Sequence, residues 1–292
     1  MALSTAAHWN QTEQDWRTML ALGHGWGLRQ RDGLGRGTLV ASTLVLPYES
    51  RFAWISMVLV APEARGQGHA SRLLRVALDD LAARRLLPLL DATPAGRPVY
   101  LKQGFVDAWG FERWRCKVLR GAAATAALTA GATVGAPQAA PPRARPLRES
   151  DWPALAACDA AAFGASRLPL LRALAARLPS AAWVVDGMHG PRGLLLGRDG
   201  RTALQLGPLV ADDGAVAMAL LSAALGALRD GGEDRDRDLI VDLRGGREAL
   251  AGWLRARAFE PERPFMRMVH GAQGKAPGDA RRVCLVAGPE LG

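Results

Sequence analysis

The sequence predicts an α+β protein of two successive domains, each built from a β-sheet with flanking helices. Three observations carry this reading. Residues 55–61 form an apolar run broken only by Ser56 and closed by Pro62, which reads as a buried strand. Behind it, Leu73, Leu74, Ala77, Leu78 and Leu81 recur at three- and four-residue spacing and give a helix one apolar face. The third is an internal repeat: Phe163 follows Trp9, and Phe259 follows Phe105, at the same shift of 154 residues, with matching strand, helix and turn signals between them.

Taken in order, residues 2–22 read as one helix with Trp9, Trp16, Met19 and Leu20 as its buried positions. The polar residues between the tryptophans, in the string HWNQTEQDW, suit contact with an acceptor at a cleft, although solvated helical positions and caps are the commoner role of such residues. Residues 26–30, 38–46 and 51–61 then read as a three-stranded antiparallel meander, joined by the glycine-rich RDGLGRG and by the turn at 47–50. Residues 65–71, RGQGHAS, lead into the apolar-faced helix. Residues 86–91 read as a second buried strand, 97–103 as a short helix, and 105–116 as a closing strand.

From 121 to 142 the chain reads GAAATAALTAGATVGAPQAAPP, without charge and without large side chains to build a core, so it is assigned as an interdomain linker. This divides the protein into 1–120, the linker 121–142, and 143–292. In the second copy residues 182–186, 193–198, 201–210, 239–243 and 283–287 read as strands. The repeat is not exact in length, because Val210 follows Val60 by 150, and Leu220 and Leu221 follow Leu73 and Leu74 by 147. Where the first copy has its glycine turn the second reads ADDGAVAMALL, and Leu254 and Ala258 stand for Tyr100 and Gly104. Ahead of its helix the second copy also has ARPLRESDWPAL, the pattern of an opening strand and a capped helix. The first copy lacks this stretch and is expected either to miss that edge strand or to take one from elsewhere.

Composition bounds the rest. With 292 residues and 49% apolar content the chain has material for two cores. No apolar run is long enough to cross a bilayer and no secretory pattern opens the sequence, so a cytoplasmic protein is expected. Three distant cysteines and five unclustered histidines predict reduced thiols and no metal. The formal charge of +9 comes from arginines scattered along the whole chain rather than from a dense tract interleaved with aromatics, which counts against nucleic acid and for a small polyanion.

The glycine turn admits three readings. It is a plain strand-to-helix connection, or a dinucleotide fingerprint with Gly66, Gly68 and Ser71 in the G-x-G-x-x-G positions and Asp91 downstream, or a site of a third kind. Against the second stand the missing third glycine and the antiparallel meander ahead of the strand, which does not suit a doubly wound nucleotide domain. The third rests on resemblance. RGQGHA fits the [QR]-x-x-G-x-[GA] signature of the GNAT N-acetyltransferase superfamily through Arg65, Gly68 and Ala70, and Tyr100, Gly104 and Phe105 supply that family's downstream Tyr-x-x-x-Gly-Phe pattern in order. The likeness is strong over about residues 2–116 and weak in the second half.

The resemblance implies two tandem GNAT-like domains, each a mixed, mostly antiparallel twisted sheet flanked by helices, the second degenerate. It implies a parallel pair of strands, 54–61 and 86–91, splayed to hold acyl-CoA, with acetyl-CoA the default donor. Met57, Val58, Leu59 and Val60 would meet pantetheine and polarise the thioester, and Arg65, Gly66, Gln67, Gly68, His69, Ala70 and Ser71 would hold the phosphates. Tyr100 would protonate sulfur, although an amphipathic core position suits it too. Asp91 is the best-placed carboxylate for a base and equally a turn cap, with Glu13 and Asp15 behind it. Trp9, Asn10, Glu13 and Trp54 are the candidate acceptor contacts. The activity implied is transfer of an acyl group to a primary amine, on a small molecule or a protein, by direct attack. The alternative is a non-catalytic acyl-CoA sensor, and a basic nucleic-acid module is the third class.

Overall fold

The computed structural model describes residues 1–31, 37–117, 142–230, 236–271 and 274–292, so the linker expected at 121–142 and the tip of the RDGLGRG turn lie almost wholly outside the described residues. The first copy contributes α1 (Ala2–Ala6), α2 (Glu13–Leu22), β1 (His24–Arg31), β2 (Gly37–Tyr48), β3 (Phe52–Val60), α3 (His69–Ala83), β4 (Leu87–Ala92), α4 (Arg97–Leu101) and β5 (Phe105–Cys116). The second contributes β6 (Ala144–Pro146), α5 (Trp152–Phe163), α6 (Leu168–Arg177), β7 (Trp183–Gly187), β8 (Gly190–Arg198), β9 (Leu204–Ala211), α7 (Gly214–Asp230), β10 (Leu239–Arg244), α8 (Glu248–Arg255), β11 (Phe259–His270) and β12 (Val283–Leu285).

These elements gather into two units that do not follow the order of the copies along the chain. The first unit is Met1–Trp109 with Met266–Ala276 and Pro289–Gly292; the second is Gly110–Phe265 with Pro277–Gly288. Strands β5 and β11 therefore each begin in one unit and end in the other.

In the first unit the strand order is β1, β2, β3, β4 and the end of β11. All neighbours are antiparallel except β3 and β4, which are parallel. Leu74, Ala77 and Leu81 of α3 pack on Val45, Ala53, Ile55 and Leu90, so the spacing read from sequence is the buried face of the helix. At about 1.5–3 kcal/mol for each large side chain fully removed from water, this face fixes the helix to the sheet. The single helix expected over 2–22 is two. Thr12 interrupts it, because its Oγ1 accepts from the Asp15 N–H at 3.3 Å while its own N–H donates to the Asp15 carboxylate at 2.6 Å, and this capping box starts a new helix at Glu13. Among the described residues no strand precedes β1, which lies at the edge of the sheet.

In the second unit the order is the end of β5, β10, β12, β9, β8, β7 and β6, with β10 also touching β9 directly. Here the opening strand is present, β6 pairing antiparallel with β7. Among the described residues no single helix is long and apolar enough to cross a membrane.

Candidate functional site

In the first unit β3 and β4 pair only through Phe52, Ala53 and Trp54, opposite Leu87, Pro88 and Leu89, and then part. From Ile55 onward the edge of β3 that faced β4 has no strand beside it among the described residues. The same stretch carries a bulge. Ser42 pairs with Leu59 and Leu44 with Ser56, so Met57 and Val58 together oppose Thr43, and Met57 takes φ of 51°, a region costly for a residue with a side chain. Ser42 Oγ donates to the Met57 carbonyl at 2.9 Å and holds the bulge in place. A bulge re-aims the backbone groups around it, here beside the gap between the strands.

The glycine turn closes this end of β3. Gly66 and Gly68 have φ of 77° and 74°, and a Cβ built on either would meet nothing within 4 Å, so the glycines serve the left-handed turn and leave space above it. Gly68 is the N-cap of α3 and supplies no side-chain cap, and the amides of the first helical turn have no acceptor inside the helix. Arg65 is exposed, its Nε donating to the Val60 carbonyl at 3.4 Å, and His69, Ala70 and Ser71 are half-buried. An exposed row of amides at the positive end of a fifteen-residue helix, beside one arginine, is a cradle for an anion.

Tyr100 stands on α4, half-buried, with its ring edge-on to Phe105 at 6.0 Å between centroids. Burial pushes its phenol up to about 12, and among the described residues the hydroxyl has no hydrogen-bond partner. A proton held there stays at neutral pH.

The carboxylates are placed otherwise than the sequence suggested. Both Asp91 oxygens accept from Arg267, from Nε and Nη2 at 3.0 Å each, and the side chain is fully buried. The Arg267 guanidinium also lies 4.3 Å from the Trp54 ring and 4.2 Å from the Trp109 ring. A carboxylate held by a buried, bidentate guanidinium is a weak base, because taking a proton would leave the arginine uncompensated. The second unit repeats the device: Arg113, the counterpart of Arg267 at the 154-residue shift, donates twice to Asp242 at 2.8 Å. In both units the arginine sits directly across the ladder from its aspartate. The pair is thus part of the frame. Glu13 is exposed and ion-paired with Arg17 at 2.7 Å, and Asp15 is spent in the capping box.

Of the four expected acceptor contacts, Trp54 is buried with Nε1 donating to the Pro289 carbonyl at 3.0 Å, Asn10 is buried, Trp9 is half-buried, and Glu13 points to solvent. Residues 57–60 and 65–71 are brought together at one end of the cleft by chain continuity. Sequence reasoning missed Arg267, the segment 289–292 against Trp54 and Tyr48, and the buried side chains of Gln11 and Ser56. Arg267 left a signal as the repeat partner of Arg113, Ser56 as the one polar break in the apolar run, and Gln11 as a member of the polar string HWNQTEQDW.

The corresponding cleft of the second unit is filled by the chain itself. There β9 and β10 stay paired as far as Leu206 and Val241, and β12 enters where they part, Leu285 pairing with Leu209 on one side and Leu243 on the other. The Ala211 N–H donates to the Arg282 backbone carbonyl at 2.9 Å, the Val286 N–H to the Asp242 backbone carbonyl at 3.0 Å, and Arg247 Nη2 to the Val283 carbonyl at 3.0 Å. Gly207 occupies the place of Met57, and a Cβ there would stand 2.3 Å from the Val286 carbonyl. At the helix start Asp213 Oδ1 accepts the Val216 N–H at 2.9 Å, and Asp212 pairs with Arg282 at 2.8 Å. The anion cradle is already occupied by a carboxylate.

Comparison with known proteins bears on the family and the fold. A profile of the acetyltransferase (GNAT) family matches residues 4–105, and one of the acetyltransferase (GNAT) domain matches residues 155–282. Among solved structures the chain resembles a putative acetyltransferase from Pyrococcus horikoshii, at 20% identity and TM-score 0.66, over 96% of this chain and 84% of that one. It resembles a tandem GNAT protein from the clavulanic acid biosynthesis pathway at 15% identity and TM-score 0.59, over 91% of each chain. A GCN5-related N-acetyltransferase from Sphaerobacter thermophilus matches at 16% identity and TM-score 0.53, over 83% of this chain and 79% of that one. At these identities the likenesses show the fold. Among curated proteins no significant match is found.

Proposed function

The chain belongs to the GNAT acetyltransferase superfamily as a tandem member with two GNAT domains, and from that premise we propose that its first copy is an acyl-CoA-dependent N-acyltransferase acting on a primary amine, with acetyl-CoA the default donor. The observation that carries this reading is the pairing of a bulged, unpartnered β3 edge with an open glycine cradle, both of which the second copy fills from within. Residues 65–71 would hold the phosphates, and the β3 edge from Met57 to Val60 would pair with the amides of pantetheine.

The donor supplies a thioester: the C–N bond forms, the C–S bond breaks, nitrogen gives up a proton and sulfur takes one. Backbone amides around the Met57 bulge polarise the carbonyl, since they are fixed in place before the reaction begins. Tyr100 delivers the proton to sulfur. A phenol near 12 is a weaker acid than a free thiol near 8.5, and desolvation of the leaving thiolate narrows that gap, because burial disfavours the charged form of a thiol as it does that of a phenol.

One observation favours the sensor reading instead. Asp91, Asp15 and Glu13 are each committed to an ion pair or a cap, so none offers a ready base, and a base-free site that binds acyl-CoA without turnover remains consistent with the geometry. Titration calorimetry with coenzyme A, followed by an acetyl-transfer assay over a panel of primary amines, separates the two. The expected result is one site per chain, lost in Gly68→Asp, with turnover on at least one amine. Binding without turnover on any amine favours the sensor, and two sites per chain or none overturn the proposal.

A further inference from the structure

Buried oxygen atoms without a partner are costly, so each asks what it is for. The first unit has two. Ser56 and Gln11 are each 5% exposed, and among the described residues neither Ser56 Oγ nor Gln11 Oε1 has a hydrogen-bond partner. Ser56 lies on β3 beyond the last residue paired with β4 and immediately before the Met57 bulge. Strand alternation puts it on the face of Trp54, opposite Ile55, which packs under α3. Gln11 lies in the connection between α1 and α2, whose buried residues are absent from the core under α3 and which pack on β3, β2 and β1. Both oxygens therefore belong to the side of the sheet away from α3.

The second copy supplies the internal control. The ladder aligns Ser56 with Leu206, each paired across from the residue after the irregularity in its hairpin, and the 154-residue shift aligns Gln11 with Ala165. Leu206 and Ala165 are buried and apolar. At these two positions the copy whose cleft is filled by β12 keeps hydrocarbon, and the copy whose cleft is open keeps two oxygens without a partner among the described residues. A carbonyl oxygen accepts and never donates, so the group that completes Gln11 must carry N–H or O–H, and a primary amine does.

We propose that Ser56 Oγ and Gln11 Oε1 are acceptor-positioning groups that take N–H bonds from the amine substrate on the face of the sheet away from α3. The proposal rests on the acyl-transfer reading above. It predicts a split that a structural role would not give. Ser56→Ala and Gln11→Met each raise KM for the amine by tenfold or more, about 1.4 kcal/mol, while KM for acetyl-CoA and the calorimetric Kd for coenzyme A stay within threefold. Because the native oxygens lack protein partners, neither variant lowers Tm, and Ser56→Thr, which keeps the hydroxyl, restores most of the amine KM. Unchanged amine KM in both variants overturns the proposal while leaving acyl transfer standing. If the wild-type protein turns over no amine, the acyl-transfer reading fails, and the melting temperatures still decide: a fall in Ser56→Ala shows an internal partner and overturns the proposal, and an unchanged or raised Tm supports an oxygen kept for a ligand.

Discussion

Beyond Trp54, β3 runs on toward an open glycine turn with no strand on its β4 side among the described residues, whereas beyond Leu206 its counterpart β9 is met at once by β12 and ends at a helix capped by Asp213. The two clefts share a frame and differ in their contents. What the difference teaches is that a donor cleft of this kind is a set of backbone groups left unpaired. The second copy supplies them with partners from its own chain, which unpaired amides and carbonyls need the more the less water reaches them.

The largest expected effect tests the open cleft. Tyr100→Phe lowers turnover by about 10² to 10⁴, the usual contribution of one general acid, and leaves the Kd for coenzyme A within about threefold, measured by single-turnover kinetics beside calorimetry. Tyr48, the other tyrosine, is no neutral control, since its Oη donates to the Leu291 carbonyl at 2.6 Å. The same substitution sharpens a pH test. Tyr100 ionises near 10 in the unfolded chain and near 12 in the folded one, so between these values the unfolded chain binds fewer protons. This group's contribution is complete below pH 10 and is lost toward pH 12, so the alkaline decline in Tm is shallower in Tyr100→Phe.

Next come the features the two units hold in common. Arg267→Met and Arg113→Met each take the bidentate guanidinium from a buried aspartate and are expected to cost about 3–5 kcal/mol, read by denaturant unfolding. Replacing both partners, Asp91→Leu with Arg267→Met, costs much less and retains turnover; loss of turnover in that folded double variant would return Asp91 to the chemistry. The smallest effect belongs to the filled cleft. Asp213→Ala removes the cap of α7 for about 1 kcal/mol, and it opens no second coenzyme A site, because β12 still occupies the gap.

Local features were legible in the sequence: the apolar run of β3, the periodicity of α3, the glycine turn and the meander all stand where their patterns placed them. So did the degenerate character of the second copy, since Asp212 and Asp213 replace the glycine cradle. What depended on pairing between distant residues was not legible. Asp91 looks like a base as long as Arg267 is out of sight, and residues 283–287 read as a strand with nothing to say that its place is inside a cleft. Ser56 and Gln11 carry no motif at all, and their meaning lies in having no partner once buried.

The division of β11 between the units sets the order in which this protein can be finished. Asp91 leaves the ribosome 176 residues ahead of the arginine that neutralises it, which at 5–20 residues per second is a wait of roughly nine to thirty-five seconds. Until then β4 presents a bare strand edge and an uncompensated carboxylate, the sort of surface that invites pairing with the wrong chain. The copy translated first must therefore wait for β11 before its own sheet is complete, and a gene cut at the linker would encode a first copy lacking that strand.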